Sequence, residues 1–231
     1  MERQTRAGVQ VTTLDNPEPE VGPEAFAWNE ADAVSAAAAE VEAGVADHGE
    51  ALAAMVALYG AEALLEWIAP AEFGGRFDEV SMRAVALIRE RLGYTSPLCE
   101  LAFAMQGLGS YPWSHAATEH GTTEAAKRWL PEVVAGRAVA AFALTEPGAG
   151  TDLSGLATTA VRSGDDWTLR GEKVFISNAG VAHVYTVFAV SDADAPKRRI
   201  TAFAVDASWP GVHTEAQHVL GGHPIGRVRL E

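Results

Sequence analysis

Cysteine is all but missing from the 231-residue chain. Cys99 stands alone, which excludes an intrachain disulfide and any zinc cage built on thiolates, and fits a reducing, cytoplasmic location. Basic residues are scarce too. Lys and Arg total 17 against 31 Asp and Glu, a formal charge of −14, whereas a general nucleic-acid binder needs the opposite balance to neutralise phosphates. No membrane-length apolar run exists: the longest charge-free stretch, Leu101 to Thr118, contains Gln106, Gly107, Gly109, Pro112 and Ser114. No apolar segment of the secretory kind follows Met1-Glu-Arg-Gln-Thr-Arg6. A Gly-x-Ser-x-Gly elbow is absent, which disfavours a hydrolase. The histidines do not group either. His213 and His218 fall on opposite faces of an expected strand and His115 and His120 are badly spaced for one helical face, so solvent or loop histidines are expected and a metal site is not.

What is present is enough for a sizeable core: 48% hydrophobic residues, with six Trp and eight Phe. Charge is unevenly spread, 21 acidic and 9 basic residues over 1–138 against 10 and 8 over 139–231, a first sign of two parts. Residues 1–25 mix Pro17, Pro19 and Pro23 with Glu18, Glu20 and Glu24 and read as a flexible acidic leader. Residues 26–137 read as a helical bundle. Helices are expected from Asn29 to Val45, Glu50 to Leu58, Ala61 to Ile68, Glu79 to Arg91, Pro97 to Leu108, Pro112 to His120, and Thr122 or Thr123 to Gly136. Beyond this point the period changes. Short apolar runs at 138–144, 157–162, 167–170, 173–177, 183–190, 200–205, 212–219 and 227–231 predict about seven strands, with Ser163-Gly-Asp-Asp166 as a hairpin signal. The fold class expected is α+β: an N-terminal helical bundle, then an antiparallel β-barrel-like domain over 138–231, cut off part-way through its last strand.

Two stretches stand out chemically. In Phe142-Ala-Leu-Thr-Glu-Pro-Gly-Ala-Gly-Thr-Asp152 a strand runs into a proline and two glycines, whose missing Cβ atoms let backbone amides approach a ligand, and Thr145 and Thr151 add hydroxyls. Taken alone, an ordinary strand-to-loop turn explains it better. Leu153 stands where a dinucleotide fingerprint needs its third small residue, so that motif is not present. In Gly171-Glu-Lys-Val-Phe-Ile-Ser-Asn-Ala-Gly180, alternation puts Val174 and Ile176 on one face and Phe175 and Ser177 on the other. An aromatic with a hydroxyl two residues on suits a planar heterocycle, one to stack and one to hydrogen-bond its edge. A half-buried strand with one polar end is the competing reading. Lys197-Arg-Arg199 reads as a solvated basic hairpin tip.

In order and spacing these stretches resemble the acyl-CoA dehydrogenase family over roughly residues 28–231. Leu144-Thr-Glu-Pro-Gly-Ala-Gly-Thr-Asp152 is close to the family's first signature and Gly171 to Gly180 to its flavin-stacking strand. Pro70-Ala-Glu-Phe-Gly-Gly75 resembles a loop after its early helices, and Gly121 to Gly136, with Trp129-Leu-Pro131, the helix leading into the β domain.

The resemblance implies FAD as cofactor, held by Phe142, Ala143, Leu144, Thr145, Gly150, Thr151, Phe175, Ile176 and Ser177, with Thr151 also close to an acyl-CoA substrate. Thr145 matches a threonine that hydrogen-bonds the flavin, Phe175 the aromatic packed on the isoalloxazine, and Ser177 a threonine near flavin N5. Three positions depart from the commonest pattern: Phe142 for Tyr, Thr151 for Ser and Phe175 for Trp. The reaction implied is α,β-dehydrogenation of an acyl-CoA thioester in fatty acid metabolism, with electrons passing to an electron-transfer flavoprotein. No residue matches the family's glutamate base, so no catalytic residue is assigned, and Glu146 reads as structural. A partial enzyme inactive alone is expected. The alternatives are a non-catalytic flavin- and partner-binding subunit of a split dehydrogenase, or a relative of the acyl-CoA oxidases or flavin monooxygenases. The open last strand predicts a homo- or hetero-oligomer, and no nucleic acid, membrane or metal partner is expected.

Overall fold

The computed structural model describes residues 23–121, 123–192, 199–220 and 222–231. Most of the expected leader and the Lys197-Arg198 part of the basic tip lie outside the described residues.

Helix α1, Pro23–Gly44, starts six residues before the expected Asn29. Pro23 lacks an N–H, but the first helical position needs none, and its fixed φ suits a helix. Ala27, Ala31, Val34, Ser35 and Ala38 form the buried stripe. Asp47 caps α2, His48–Ala61, by accepting from the amides of Gly49 and Glu50. The helix expected over 61–68 is instead a 3-10 turn, Leu64–Ile68, because Ala63 adopts a left-handed conformation and breaks the helical path. Its Leu64, Leu65, Trp67 and Ile68 are all buried. Arg76 closes the following loop: it pairs with Glu30 of α1 at 2.7 Å and lies 5.1 Å from the Phe26 and Trp67 ring centres.

Ser81 caps α3, Met82–Thr95, and Ser96 caps α4, Pro97–His120. The two helices expected at 97–108 and 112–120 are one. Pro112 removes an amide donor in the helix interior, yet Gly109, Ser110, Trp113, Ser114 and Ala117 around it are buried and keep the axis in place. Thr123 caps α5, Glu124–Val134.

Seven strands follow: β1 Ala140–Ala143, β2 Thr159–Ser163, β3 Asp166–Ser177, β4 Val184–Asp192, β5 Arg199–Asp206, β6 Val212–Ala216 and β7 Ile225–Leu230. They form a curled half-barrel in the order β1-β4-β2-β3-β7-β6, with β5 on β4. The expected antiparallel arrangement is only partly right, for the sheet is mixed. β1 pairs with β4 in parallel over Ala140↔Val184 to Ala143↔Val187, and β2 meets β4 in parallel at Thr159↔Val190. The chain from Ala143 to Val184 is long enough to leave the edge, build the β2–β3 hairpin and return in the same direction, which a short turn cannot do.

One apolar core runs through both parts, from Leu52, Phe103 and Leu130 in the helices to Ala141, Ile176, Val187 and Val228 in the strands. Helix α4 is fastened to β1 by buried Gln106, whose Nε2 donates to the Ala138 carbonyl and whose Oε1 accepts from the Ala140 amide, both at 2.8 Å. Three residues on, Gly109 lets the elements touch: a Cβ there would sit 2.9 Å from Ala140 Cβ and 3.0 Å from Ala141 N. The β4 hydroxyl of Thr186 donates to the Gly109 carbonyl. Among the described residues, no helix is long and apolar enough to cross a membrane.

Candidate functional site

Strand β1 ends at Ala143, and the chain enters a turn in which Glu146 N donates to Ala149 O at 2.9 Å and Ala149 N to Glu146 O at 3.2 Å. Gly148 and Gly150 are exposed, and a Cβ on either would meet nothing within 4 Å. Open space therefore lies against this backbone.

The turn is held from behind by a buried ion pair. Lys173 and Glu146 lie 2.7 Å apart with both side chains out of solvent. The Lys173 ammonium also donates to the carbonyls of Leu144 at 3.0 Å and Phe188 at 2.6 Å, filling its three donor positions. Glu146 accepts from the amides of Ala157 and Thr158 at 2.6 and 3.0 Å. Burial alone would push its carboxyl up, but Lys173, Thr158 and the Ala157 amide outweigh burial and hold it below the usual range. An anion so committed has little capacity left to take a substrate proton, and the structural reading of Glu146 agrees with this geometry.

Strand β3 departs from regular alternation where the site begins. Its pairing with β7 is interrupted between Lys173↔Val228 and Ile176↔Gly226, so Val174 and Phe175 together oppose Arg227. Phe175 takes φ 55°, a left-handed conformation costing about 1–2 kcal/mol for an L-residue. Val174 and Ile176 stay buried while Phe175 is 59% exposed. The separation of Phe175 from Val174 and Ile176 expected from alternation is thus produced by a bulge, and the ring is exposed. The Val174 amide, freed from the ladder, donates to the Thr145 carbonyl at 2.9 Å.

The two stretches that are 30 residues apart in sequence therefore meet: Leu144 and Thr145 hang from Lys173 and Val174, directly beside Phe175. Phe142 is half-buried and packs on Phe188, ring centres 4.8 Å apart. Ser177 is half-buried at the end of β3, opposite Ile225. Ala143 and Ile176 turn their side chains into the core, leaving their backbone as the part that a ligand could meet. Gly150 and Thr151 are exposed further along the loop, with no hydrogen bond to β3 among the described residues. Sequence reasoning missed Lys173, Asn178 and Gln217. Buried Asn178, at φ 68°, ties β3 to β1 by donating from Nδ2 to Ala140 O at 2.9 Å. Gln217 Oε1 accepts from the Phe175 amide at 2.9 Å. A lysine amid apolar residues was the available signal for the first; nothing local marks Gln217. Among the described residues, no group of three or more His, Cys, Asp or Glu converges as a metal site would require.

The fold and this corner define a class: a helical bundle on a mixed half-barrel, with an exposed aromatic ring beside an open, glycine-bearing turn. Comparison with known proteins makes this specific. Residues 141–231 match the acyl-CoA dehydrogenase middle domain. A cyclohexane-1-carbonyl-CoA dehydrogenase of Geobacter metallireducens is 32% identical over 179 residues, 78% of this chain and 44% of its own length. A glutaryl-CoA dehydrogenase of Desulfococcus multivorans is 29% identical over 167 residues, 71% of this chain and 42% of its own. The crystal structure of an acyl-CoA dehydrogenase complexed with FAD from Bacillus anthracis superimposes with a TM-score of 0.75 at 27% identity, covering 93% of this chain and 36% of that one. Residues 141–231 belong to the acyl-CoA dehydrogenase middle-domain family, and the chain as a whole is similar to acyl-CoA dehydrogenases. It spans less than half the length of the two curated relatives named here.

Proposed function

We propose that this chain supplies the flavin-facing wall for FAD-dependent α,β-dehydrogenation of an acyl-CoA thioester. The observation carrying the reading is the Phe175 bulge: a strained backbone presents an aromatic ring to open space beside the Thr145–Gly150 turn. Strain of this kind survives where surrounding structure over-determines it, and it clusters at ligand sites. The residues fit FAD. Phe175 offers a flat apolar face, Thr145 and Ser177 offer hydroxyls at its rim, and Gly148, Gly150 and Thr151 leave amides and space for a phosphate. When bound, the flavin supplies the acceptor for a hydride equivalent.

The chain's own part is binding, orientation and exclusion of water. Phe175 sets the plane in which a heterocycle can lie, Phe142 packs β1 onto β4 through Phe188, and Lys173 holds the Thr145 peptide in register by gripping the carbonyl before it. Thr151, exposed on the loop, is positioned to meet the acyl-CoA. At this turn Glu146 is committed to Lys173 and Asp152 to the Ser154 amide, and the α-proton is taken by a carboxylate elsewhere in the assembled enzyme. Electrons then leave for an electron-transfer flavoprotein, and the working form is an oligomer.

The test is the visible spectrum of the desalted chain after incubation with FAD, compared with Phe175→Ala. Flavin retained by the parent chain and lost or weakened about tenfold in the variant is expected, and anaerobic acyl-CoA should not bleach it. Equal retention by both proteins refutes the assignment of Phe175. Bleaching refutes the statement that the base lies elsewhere.

A further inference from the structure

The bulge at Val174 and Phe175 sets two residues against one on β7, and the amide of each donates outside the β3–β7 pairing. The Val174 amide finds the Thr145 carbonyl, a main-chain group fixed by the strand it follows. The Phe175 amide has no such neighbour. Arg227 stands opposite both bulge residues, and the regular ladder resumes only at Ile176↔Gly226. The acceptor it uses is a side chain 42 positions away, Gln217 Oε1, at 2.9 Å.

Gln217 is well placed to hold a fixed point. It follows Ala216, the last residue of β6, whose partner is Gly226. Its own amide donates to Ile225 O at 2.9 Å, continuing the β6–β7 ladder by one rung. On the far side of the bulge, the Asn178 amide donates to Pro224 O at 2.8 Å. The β6–β7 connection therefore grips β3 at both ends of Phe175–Asn178, once through main chain and once through the Gln217 side chain. Phe175 and Asn178 are the two ends of that segment, and both have positive φ.

We propose that Gln217 is a positioning residue for the aromatic wall: its side-chain carbonyl replaces the lost ladder partner and holds Phe175 in the left-handed conformation that aims its ring outward. Because the amide is exposed, water can satisfy it once Gln217 is gone. Water cannot fix the backbone, however, so the loss falls on local order and not on global stability. The functional consequence rests on the reading of Phe175 as the flavin wall; the positioning itself does not.

The experiment compares the full 231-residue chain with Gln217→Leu, Gln217→Glu and Phe175→Ala. Three readouts are used: Phe175 amide exchange by NMR, the urea unfolding midpoint, and FAD affinity from flavin fluorescence. Gln217→Leu should speed Phe175 exchange by roughly three- to tenfold, the range of one hydrogen bond, with an unchanged midpoint. Its FAD affinity should fall by a similar factor. Gln217→Glu keeps an acceptor and should restore both. Unchanged Phe175 exchange in Gln217→Leu overturns the proposal, as does faster exchange with unaltered FAD affinity in a chain whose Phe175→Ala variant binds FAD poorly. If Phe175→Ala binds FAD as the parent does, the flavin-wall reading fails, and amide exchange still decides what Gln217 does.

Discussion

Replacing Lys173 by methionine removes the charge behind the signature turn while nearly preserving volume. In the native chain the ammonium has three acceptors: Glu146 Oε1 at 2.7 Å, Leu144 O at 3.0 Å and Phe188 O at 2.6 Å. Lys173→Met leaves a buried carboxylate and two buried carbonyls without that donor. Breaking a buried pair from one side costs about 3–5 kcal/mol. Glu146 retains the Ala157 and Thr158 amides, so the lower end, about 3 kcal/mol, is expected. At roughly 2–4 °C per kcal/mol for a chain of this size, Tm should fall by about 6–12 °C. The assay is urea unfolding followed by circular dichroism at pH 7. Adding Glu146→Gln removes the stranded charge and keeps an acceptor for the amides, so the double variant should recover at least about 1 kcal/mol. A loss below about 1 kcal/mol in Lys173→Met, or a double variant less stable than that single one, refutes the view that the pair holds the turn.

Acid should act on the same pair. The Glu146 carboxyl is held below its ordinary 4.5 when folded, so its contribution is complete above about pH 4.5 and is lost as pH falls through the folded value. Stability measured from pH 6 to pH 3 should decline more steeply in the parent than in Glu146→Gln. Gly109→Ala forces a Cβ to 2.9 Å from Ala140 Cβ; because backbone atoms of β1 must yield, a loss of about 1–3 kcal/mol in urea unfolding is expected. Gln106→Leu strands the Ala138 carbonyl and Ala140 amide in the core, and the same measurement should show a loss of about 2–4 kcal/mol.

The helices expected at 50–58, 97–108 and 122–136 are present, and each is capped by a side chain, Asp47, Ser96 and Thr123, the first of them three residues before the expected start. They were misread where one residue carries two meanings. Pro23 looked like part of a loose leader and is the first residue of α1; Pro112 looked like a break and sits inside α4. Local chemistry is the same in each reading, and burial of the neighbouring residues decides. Strand positions were similarly visible, except that the runs at 167–170 and 173–177 form the single strand β3, but strand directions were not. Parallel pairing of β1 with β4 is a property of the connection between them, and periodicity of side chains carries no information on direction.

The site shows the same division more sharply. Alternation separates Phe175 from Val174 and Ile176, yet which side is exposed is set by a register shift that alternation cannot encode. A regular β3 with Phe175 facing out would also turn Lys173 and Ser177 outward, because residues two apart share a face. Lys173 is instead fully buried beneath the turn. The extra residue of the bulge reconciles the two demands: Lys173 can point in to anchor Glu146 while Phe175, two residues later, points out. The bulge thus serves the ion pair and the aromatic wall together, and its strain is the structural cost of placing both within three residues of one strand. Removing the strain by straightening β3 would drive either the lysine or the ring to the wrong side.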